Sequence, residues 1–563
     1  MGELNPGLIL ILGALAVPLL PGKSLRGIYM LALPILAFGY LQGLPLGEMG
    51  QFKLFDLTLT TARIDQLSLV FGYIFLIATL LGVIYALHVA DWVQHAAGLV
   101  YAGSAIGAVF AGDFVTLFVF WEITAISSVF LIWASRNPDA MASGLRYLII
   151  QVGSGVILLA GVLFYYRDTG SVAFNSIGTQ TFAGQLILLA FGIKCAFPLL
   201  HNWLKDAYPR ATVTGTVMLS VFTTKLAVYA LARGFPGTEI LIPIGVTMAL
   251  FTAVYALIEN DLRRVLAYAL IGQLGLMVAG IGIGSELAIN GAVAHAACGI
   301  LYFALLFMAI GAVLHRTGTA RASDLGGLAT SMPITATLAI IGALTAAAVP
   351  FFAGFISKAF IVSAAMKAGH LWVWLALLAA GAAVVIHTAI KVPYFAFFAK
   401  PNGRASSEAP MNMLIAMALT ALLCVGLGVY PKALTEMLPH KVKYDAYTLE
   451  HIVTQLQLVA FAALAFVLAI RFGLYPVMTR STILDTDWLY RVPGRHLATF
   501  TNRFRSWTWE WLADNTVHGA TKVHDVLYRN HGPKGLFGRS WPTGKMAFWT
   551  TVTLGAVVVL SYL

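Results

Sequence analysis

Long apolar runs follow one another along almost the whole of this chain. Each is about 18–25 residues long, the length that an α-helix needs to cross the hydrocarbon core of a bilayer. The sequence predicts about sixteen such spans: 5–21, 26–43, 66–88, 92–111, 114–134, 142–166, 182–200, 211–233, 238–258, 262–283, 287–314, 335–365, 371–399, 411–430, 452–471 and 545–562. The chain of 563 residues is only 10% charged, whereas soluble domains carry about 25% charge. We therefore expect an all-α polytopic membrane protein.

Four ionisable side chains interrupt these apolar runs: Glu122, Lys194, Lys225 and Lys358. A charge in hydrocarbon costs at least about 2.5–3.5 kcal/mol, so such residues face the interior of a helix bundle. Of the 24 Asp and Glu residues, Glu122 alone lies well inside an apolar run. A carboxylate facing a lysine keeps both groups charged, and a proton taken up by one weakens its hold on the other. The four residues predict a buried polar route, with a static ion pair as the alternative for Glu122.

Proline flanks two of these lysines, in KCAFP after Lys194 and in VPFFAGFISK before Lys358. Proline removes an amide donor and loosens the helix. Broken membrane helices are tolerated where they line a wet cavity, and a pair of them in two halves marks inverted repeats. We expect about 14 core transmembrane helices, including two inverted five-helix repeats that contain the broken helices. The predicted ranges are 1–113 for N-terminal spans, 114–233 and 238–399 for half-channel repeats, 400–475 for C-terminal spans, and 476–563 for an amphipathic segment and a final span.

Two interpretations remain open for each of three residues, one of them already named. Lys225 follows Ser220, Thr223 and Thr224, whose hydroxyls would hold water near its ammonium; the alternative is a lysine that snorkels to an interface. His295, between small apolar neighbours, either relays protons or is a satisfied core histidine. Lys391 lies towards the end of its span, so snorkelling is the better interpretation there.

Several classes of site have no signal. The cysteines are far apart and form no CxxC or His/Cys cluster, and no phosphate-binding glycine loop follows a strand. No cofactor or metal is therefore predicted. The net charge is +11, with ten Lys/Arg against five Asp/Glu in residues 480–545. Basic residues beside spans reflect topology and anionic lipid more than nucleic acid.

Segments outside the spans give the expected orientation. Residues 51–67 alternate apolar and polar side chains, which predicts a hairpin outside the bilayer. The tail 472–544 mixes Trp, Phe and Leu with Arg, which favours an amphipathic surface helix over a solvated linker. Loops on the tail side hold twelve Lys and Arg and the opposite loops eight. The positive-inside rule places the tail in the cytoplasm and both termini outside.

Six stretches carry a family likeness: WE at 121–122, GIKCAFPLLHNWLKDAYPRATVTGTVMLS at 192–220, TTKLAVYAL at 223–231, ENDLRRVLAYALIGQLG at 259–275, DLGGL at 324–328 and VPFFAGFISK at 349–358. Over about residues 60–400 the chain resembles the antiporter-like proton-conducting subunits of complex I, membrane-bound hydrogenases and Mrp-type antiporters. KVPYFAFFAK (391–400) and LDTDWLYR (484–491) look most like the D-type subunits of the Mrp-type monovalent cation/proton antiporters.

The resemblance implies a role for each buried residue. Glu122 and Lys194 would form the charge pair of the first half-channel. Lys225 would pass the proton towards the centre, and Lys358 would stand near the exit. His295 matches the first of two family histidines, but Gly299 and Phe303 stand where the family often has a second histidine and a lysine. The link between Lys225 and Lys358 is thinner than in the family.

The expected function is therefore proton and Na⁺ translocation, with other membrane subunits as partners, in a bacterial inner membrane. The alternatives are a proton-pumping subunit of a complex I-like quinone oxidoreductase or hydrogenase, a non-conducting coupling partner in ion or inorganic-carbon uptake, and an independent transporter. Since no redox centre is encoded, electron chemistry would belong to partners.

Overall fold

A computed structural model describes residues 4–55, 57–401, 403, 406–476, 478, 483, 485–488, 492–535, 537–538 and 542–561. The chain divides into two compact units, Met1–Ile483 and Leu484–Leu563. Part of the stretch 484–491, namely 484 and 489–491, lies outside the described residues.

The first unit is a bundle of α-helices. In chain order these are α1 Gly7–Ala14, α2 Lys23–Gln42, α3 Gln66–Ala86, α4 Trp92–Phe110, α5 Phe114–Trp133, α6 Pro138–Thr169, α7 Phe182–Lys194, α8 Asn202–Ala207, α9 Val213–Val221, α10 Thr223–Gly234, α11 Leu241–Ile258, α12 Leu262–Ile283, α13 Glu286–Thr317, α14 Pro333–Ala346, α15 Ala353–Lys367, α16 Leu371–Val384, α17 Lys391–Pro393, α18 Met411–Val429, α19 Lys432–Thr435 and α20 Leu449–Arg471. π-Helical turns at Val385–Ile390 and Tyr394–Phe398 flank α17. Among the described residues, 13 helices are long and apolar enough to cross a membrane, and three apolar helices are shorter. The polytopic helical fold is confirmed.

A β-hairpin stands between α2 and α3. Strand β1, Gly47–Leu54, pairs antiparallel with β2, Leu57–Ile64. The predicted hairpin is therefore confirmed, although it begins four residues before the predicted 51. Asp113 fixes it to the bundle, because its carboxylate accepts from the Thr60 amide at 2.8 Å and also caps α5.

The helices α12 and α13 form the centre of the bundle. In each helix, 94% of its most apolar stretch of 18 residues is buried inside the protein. Helix α13 packs against α9, α12, α14, α15 and α18. A helix that is apolar on all sides is suited to such an enclosed position. The central place of α13 puts His295 between the two sets of broken helices.

Four of the predicted spans between residues 182 and 399 are interrupted. Residues 195–201 follow α7, with Ala196 at φ 61° and Leu199 at φ 69°, and residues 347–352 separate α14 from α15. A positive φ is uncommon outside glycine, so these are sharp local breaks. Both lie beside the predicted prolines, which confirms the broken helices. The span 211–233 also breaks, at Phe222, and 371–399 continues after α16 as π-helical turns.

The predicted range 114–233 holds four of the spans, α5, α6, α7 and the broken pair α9–α10. The fifth helix of a five-helix first repeat therefore has to come from outside this range. The inverted relation of the two halves stays a prediction.

The described part of the second unit contains the helices Pro493–His531 and Thr543–Ser561. The first confirms a long helix within the predicted tail, and the second matches the predicted final span. The tail residues 477, 479–482, 484, 489–491, 536 and 539–541 lie outside the described residues.

Candidate functional site

The three buried lysines of the predicted route each stand beside a helix break. Lys194 is the last residue of α7, Lys225 lies in the first turn of α10, and Lys358 lies early in α15. At a break, backbone carbonyls lose their helical partners and are open to other donors. Of the three lysines, Lys225 uses such a carbonyl, whereas Lys194 is held by α5 and Lys358 has no hydrogen bond to another described residue.

Lys194 is fully enclosed and has three partners, all from α5. Its Nζ donates to the Trp121 carbonyl at 2.6 Å and to Thr124 Oγ1 at 3.0 Å. It also lies 4.3 Å from the centroid of the Trp121 ring. A cation over an aromatic face is stabilised by the ring quadrupole. Lys194 is thus held in one position by α5.

Glu122 is adjacent to this cluster but does not form a direct salt bridge with Lys194. Lys194 bonds the carbonyl of the preceding residue, and no contact within 4.0 Å joins the two charged groups. Glu122 Oε1 is buried without a hydrogen-bond partner among the described residues. It lies against Gly155 of α6, where any Cβ would overlap the oxygen. The structure therefore brings the two charges together as neighbours, with an unsatisfied acceptor between α5 and α6.

Lys225 is held by the break at Phe222. Its Nζ donates to the Ser220 carbonyl at 2.7 Å, an oxygen that in a continuous helix would accept from the Thr224 amide. The side chain is 0% exposed, which rules out snorkelling. Thr224 Oγ1 is buried without a partner among the described residues. The expected water-holding hydroxyls thus include one free group beside the ammonium.

His295 connects three helices through hydrogen bonds. Its Nε2 pairs with Gln273 Oε1 of α12 at 2.7 Å, and its Nδ1 with Ser357 Oγ of α15 at 2.9 Å. The Tyr302 hydroxyl lies 3.5 Å from Nε2. Ser357 precedes Lys358, so the histidine reaches the neighbourhood of the last lysine. Sequence reasoning missed Gln273, Ser357 and Tyr302, whose only signal is a polar side chain inside an apolar span.

The region of Gly299 and Phe303 is filled by aromatic side chains. Phe303 presents its ring to Lys225, with 5.5 Å from Nζ to the ring centroid. A Cβ on Gly299 would lie 3.3 Å from Met277 Cε and 3.6 Å from the Tyr302 hydroxyl. Tyr302 therefore places a hydroxyl close to the position that lacks the family's second histidine.

Lys358 contrasts with the other two lysines. The structure shows no hydrogen bond from its ammonium to another described residue. The ammonium rests against Gly381 of α16, where a Cβ would overlap it. The side chain also lines a groove of about 480 Å³.

Lys391 does not snorkel, contrary to the prediction. It is 0% exposed, and its Nζ donates to the carbonyls of Ala256, Leu257 and Glu259 at 3.0, 2.7 and 2.6 Å. These are the last carbonyls of α11, which an ammonium satisfies well. The Glu259 carboxyl is buried beside it, and this burial raises its pKa above the ordinary value. Glu259, Asp113 and Asp206 are thus more deeply buried than Glu122, which is half-buried although it lies inside an apolar run.

Comparisons with known proteins identify the family of this chain. A family model described as NADH:quinone oxidoreductase/Mrp antiporter, TM, matches residues 111–383. The N subunit of the NADH-quinone oxidoreductase of Desulforudis audaxviator is 31% identical over 354 residues, 58% of this chain and 70% of that protein. The chain belongs to this family of antiporter-like membrane subunits. It is a multi-pass membrane protein.

Relatives within the family are parts of different assemblies. The D subunit of the Na⁺/H⁺ antiporter of Alkalihalophilus pseudofirmus is 30% identical over 312 residues, 52% of this chain and 63% of that protein. The A1 subunit of the Na⁺/H⁺ antiporter of Staphylococcus haemolyticus is 30% identical, and the chain spans about half of it, 48%.

Two solved structures share the fold. The Mrp complex from Dietzia sp. DQ12-45-1b matches with a TM-score of 0.66 at 20% identity, covering 82% of this chain and 95% of that chain. The membrane-bound sulfane sulfur reductase, an archaeal respiratory membrane complex, matches with a TM-score of 0.71 at 21% identity, covering 99% of both chains. The resemblance to this family is confirmed.

Proposed function

We propose that this chain is the ion-translocating subunit of a multisubunit monovalent cation/proton antiporter with Na⁺ as the exchanged cation. The observation that carries the proposal is the placement of Lys194, Lys225 and Lys358 in one enclosed bundle, each beside a helix break. The carbonyls that Lys194 and Lys225 contact offset part of the cost of burying an ammonium in an apolar interior.

The proposed path runs from Glu122 and Lys194 to Lys225 and then, through His295, to Lys358. The hydrogen bonds of His295 to Gln273 and Ser357 support the last step. We place the complex in a bacterial inner membrane with the tail 472–544 in the cytoplasm near anionic lipid. Both termini would lie outside, and other membrane subunits of the complex would be the partners.

Exchange in everted vesicles tests the proposal. Glu122→Ala and Lys194→Ala should each abolish complex-dependent Na⁺/H⁺ exchange, because each removes one charge of the first step. Lys432→Ala is the control, since this lysine is exposed. Full activity of both Glu122→Ala and Lys194→Ala would contradict the central claim.

A second candidate is a proton-pumping arm of a complex I-like or hydrogenase-like assembly. It is favoured by the 31% identity to an NADH-quinone oxidoreductase subunit and by the fold match to an archaeal respiratory complex over 99% of the chain. Proteins that co-purify in mild detergent distinguish the two: small membrane subunits alone favour the antiporter, and iron–sulfur subunits favour the pump.

A third candidate, a non-conducting coupling partner, is favoured by the apolar ring of Phe303, which lies against Lys225 and Tyr302 where the family often has a lysine. Retention of function in alanine variants of all four charged residues would support it.

A further inference from the structure

A groove opens beside Lys358, the one lysine of the route without a hydrogen bond to a described residue. Its volume is about 480 Å³, whereas a liquid water occupies about 30 Å³. The walls come from α15, from α16, from the loop before α20 and from the first turns of α20. The groove beside Lys358 therefore has room for several waters.

Phe355, Val362, Met366, Trp374 and Leu378 give the groove a largely apolar wall, and three of its polar lining residues belong to one hydrogen-bonded chain. Tyr444 shares its hydroxyl with Ser363 Oγ and, at 2.9 Å, with His451 Nε2. His451 Nδ1 pairs with the exposed Thr448 hydroxyl at 2.9 Å. Hydroxyls and a neutral imidazole both donate and accept, so a chain of them can pass a proton in either direction. The chain runs from α15, which carries Lys358, to the exposed start of α20.

Burial, together with two nearby carboxylates, keeps the Tyr444 hydroxyl protonated, although a lysine also lies close to the ring. The Lys367 ammonium lies 4.8 Å from the centroid of its ring. Burial raises the pKa of Tyr444, the carboxylates of Asp445 and Glu450 raise it further, and the bond to Ser363 opposes them. Tyr444 at neutral pH is therefore a hydroxyl that donates one proton while it accepts another.

We propose that this groove is the port through which Lys358 exchanges protons with the aqueous phase, and that Ser363, Tyr444 and His451 relay them. Lys358 gives a proton to groove water, which passes it to the Ser363–Tyr444 hydroxyl pair. Tyr444 hands its own proton to His451 Nε2, and His451 releases one from Nδ1. Each relay group ends with the number of protons with which it began. The inference rests on the function proposed for Lys358 and adds the place and the residues of its exchange with water.

Thiol labelling tests the water-filled port independently of transport. Ala359 lines the groove, and Ala365 lies on the same helix but is fully buried. The native cysteines are buried and give little background. With a charged, membrane-impermeant thiol reagent, Ala359→Cys in the full complex should react at least about tenfold faster than Ala365→Cys. The reaction should be faster when the reagent is added on the side of the membrane that holds the loop 431–448. Right-side-out vesicles test the outer side.

Two labelling outcomes would overturn the port. One is equally slow labelling of both variants by the charged reagent. The other is labelling of Ala359→Cys by a membrane-soluble maleimide alone, which would show a lipid-filled furrow. Labelling is measured again in the Glu122→Ala background. Labelling reports on the port and exchange reports on the proposed function. A variant that loses exchange but keeps labelling therefore separates a failure of one from a failure of the other.

The relay is tested by removal of one hydroxyl. Tyr444→Phe keeps the ring but breaks the chain, so exchange should fall about tenfold while labelling of Ala359→Cys is retained. Tyr447→Phe is the matched control, because its hydroxyl bonds the Gly428 carbonyl outside the groove. Equal exchange rates in the two variants would show that Tyr444 is only a structural support and would overturn the relay.

Discussion

Lys194 and Lys358 are the same residue type beside the same kind of proline-flanked break, yet their surroundings are opposite. Lys194 stands before its break, is enclosed by α5 and has a carbonyl, a hydroxyl and an indole as partners. Lys358 stands after its break, touches Gly381 and faces a groove. A fixed ammonium responds mainly to a charge next to it, whereas an ammonium beside water can exchange its proton. The first site is therefore suited to electrostatic coupling and the second to exchange.

The largest expected effect comes from crowding the first site. Gly155→Ala places a methyl group on Glu122 Oε1, so the half-buried carboxylate has to leave its position beside α6. Exchange in vesicles should fall more than about tenfold. Gly153→Ala on the same helix, where a Cβ meets open space, should leave exchange unchanged. Similar activity of the two variants would break the contrast between a tight first site and an open second site.

A buried lysine whose ammonium donates three hydrogen bonds should also contribute to the free energy of unfolding. Lys391→Met removes three hydrogen bonds and leaves three buried carbonyls at the end of α11 without their donor. The expected loss is about 3 kcal/mol, since each buried unsatisfied polar group costs about 1–3 kcal/mol. The midpoint of thermal unfolding of the purified complex measures this. Lys367→Met, at an exposed lysine, is the control, and an equal midpoint for both would contradict a capping role.

Crowding the second site should have the smallest effect. Gly381→Ala places a methyl group on Lys358 Nζ, but this is the far end of a flexible chain with the groove beside it. Exchange should fall only about two- to threefold. Gly426→Ala, which meets open space, serves as the control. A loss as large as that of Gly155→Ala would show that Lys358 is as tightly held as Glu122.

The spans, the hairpin and two of the breaks were predictable because each has a local cause. Apolar runs set the helices, alternation set the strands, and Pro198 and Pro350 mark the interruptions. The break at Phe222 has no proline or glycine beside it. It is supported by tertiary contacts, such as the bond from the Thr223 amide to the Tyr101 hydroxyl at 3.0 Å, so no local pattern marks it.

The site was predictable as a set of residues but not as a set of contacts. The charges were found because a charge in an apolar run is conspicuous. Which oxygen Lys194 contacts depends on how α5 and α7 pack, and the sequence contains no direct signal for that. Lys391 was misjudged for the same reason: its position near the end of a span suggested water, whereas the end of α11 encloses it.

The stretch that follows Gly381 has a mechanical consequence. Gly381 contacts Lys358, and ten residues later Lys391 donates hydrogen bonds to the end of α11. The intervening turns are π-helical, and such turns hold one more residue per hydrogen-bonded ring than an α-helix does. One continuous helical segment therefore connects Lys358 to the turn at Glu259. A shift of the backbone at either end would be taken up by the same π-helical turns.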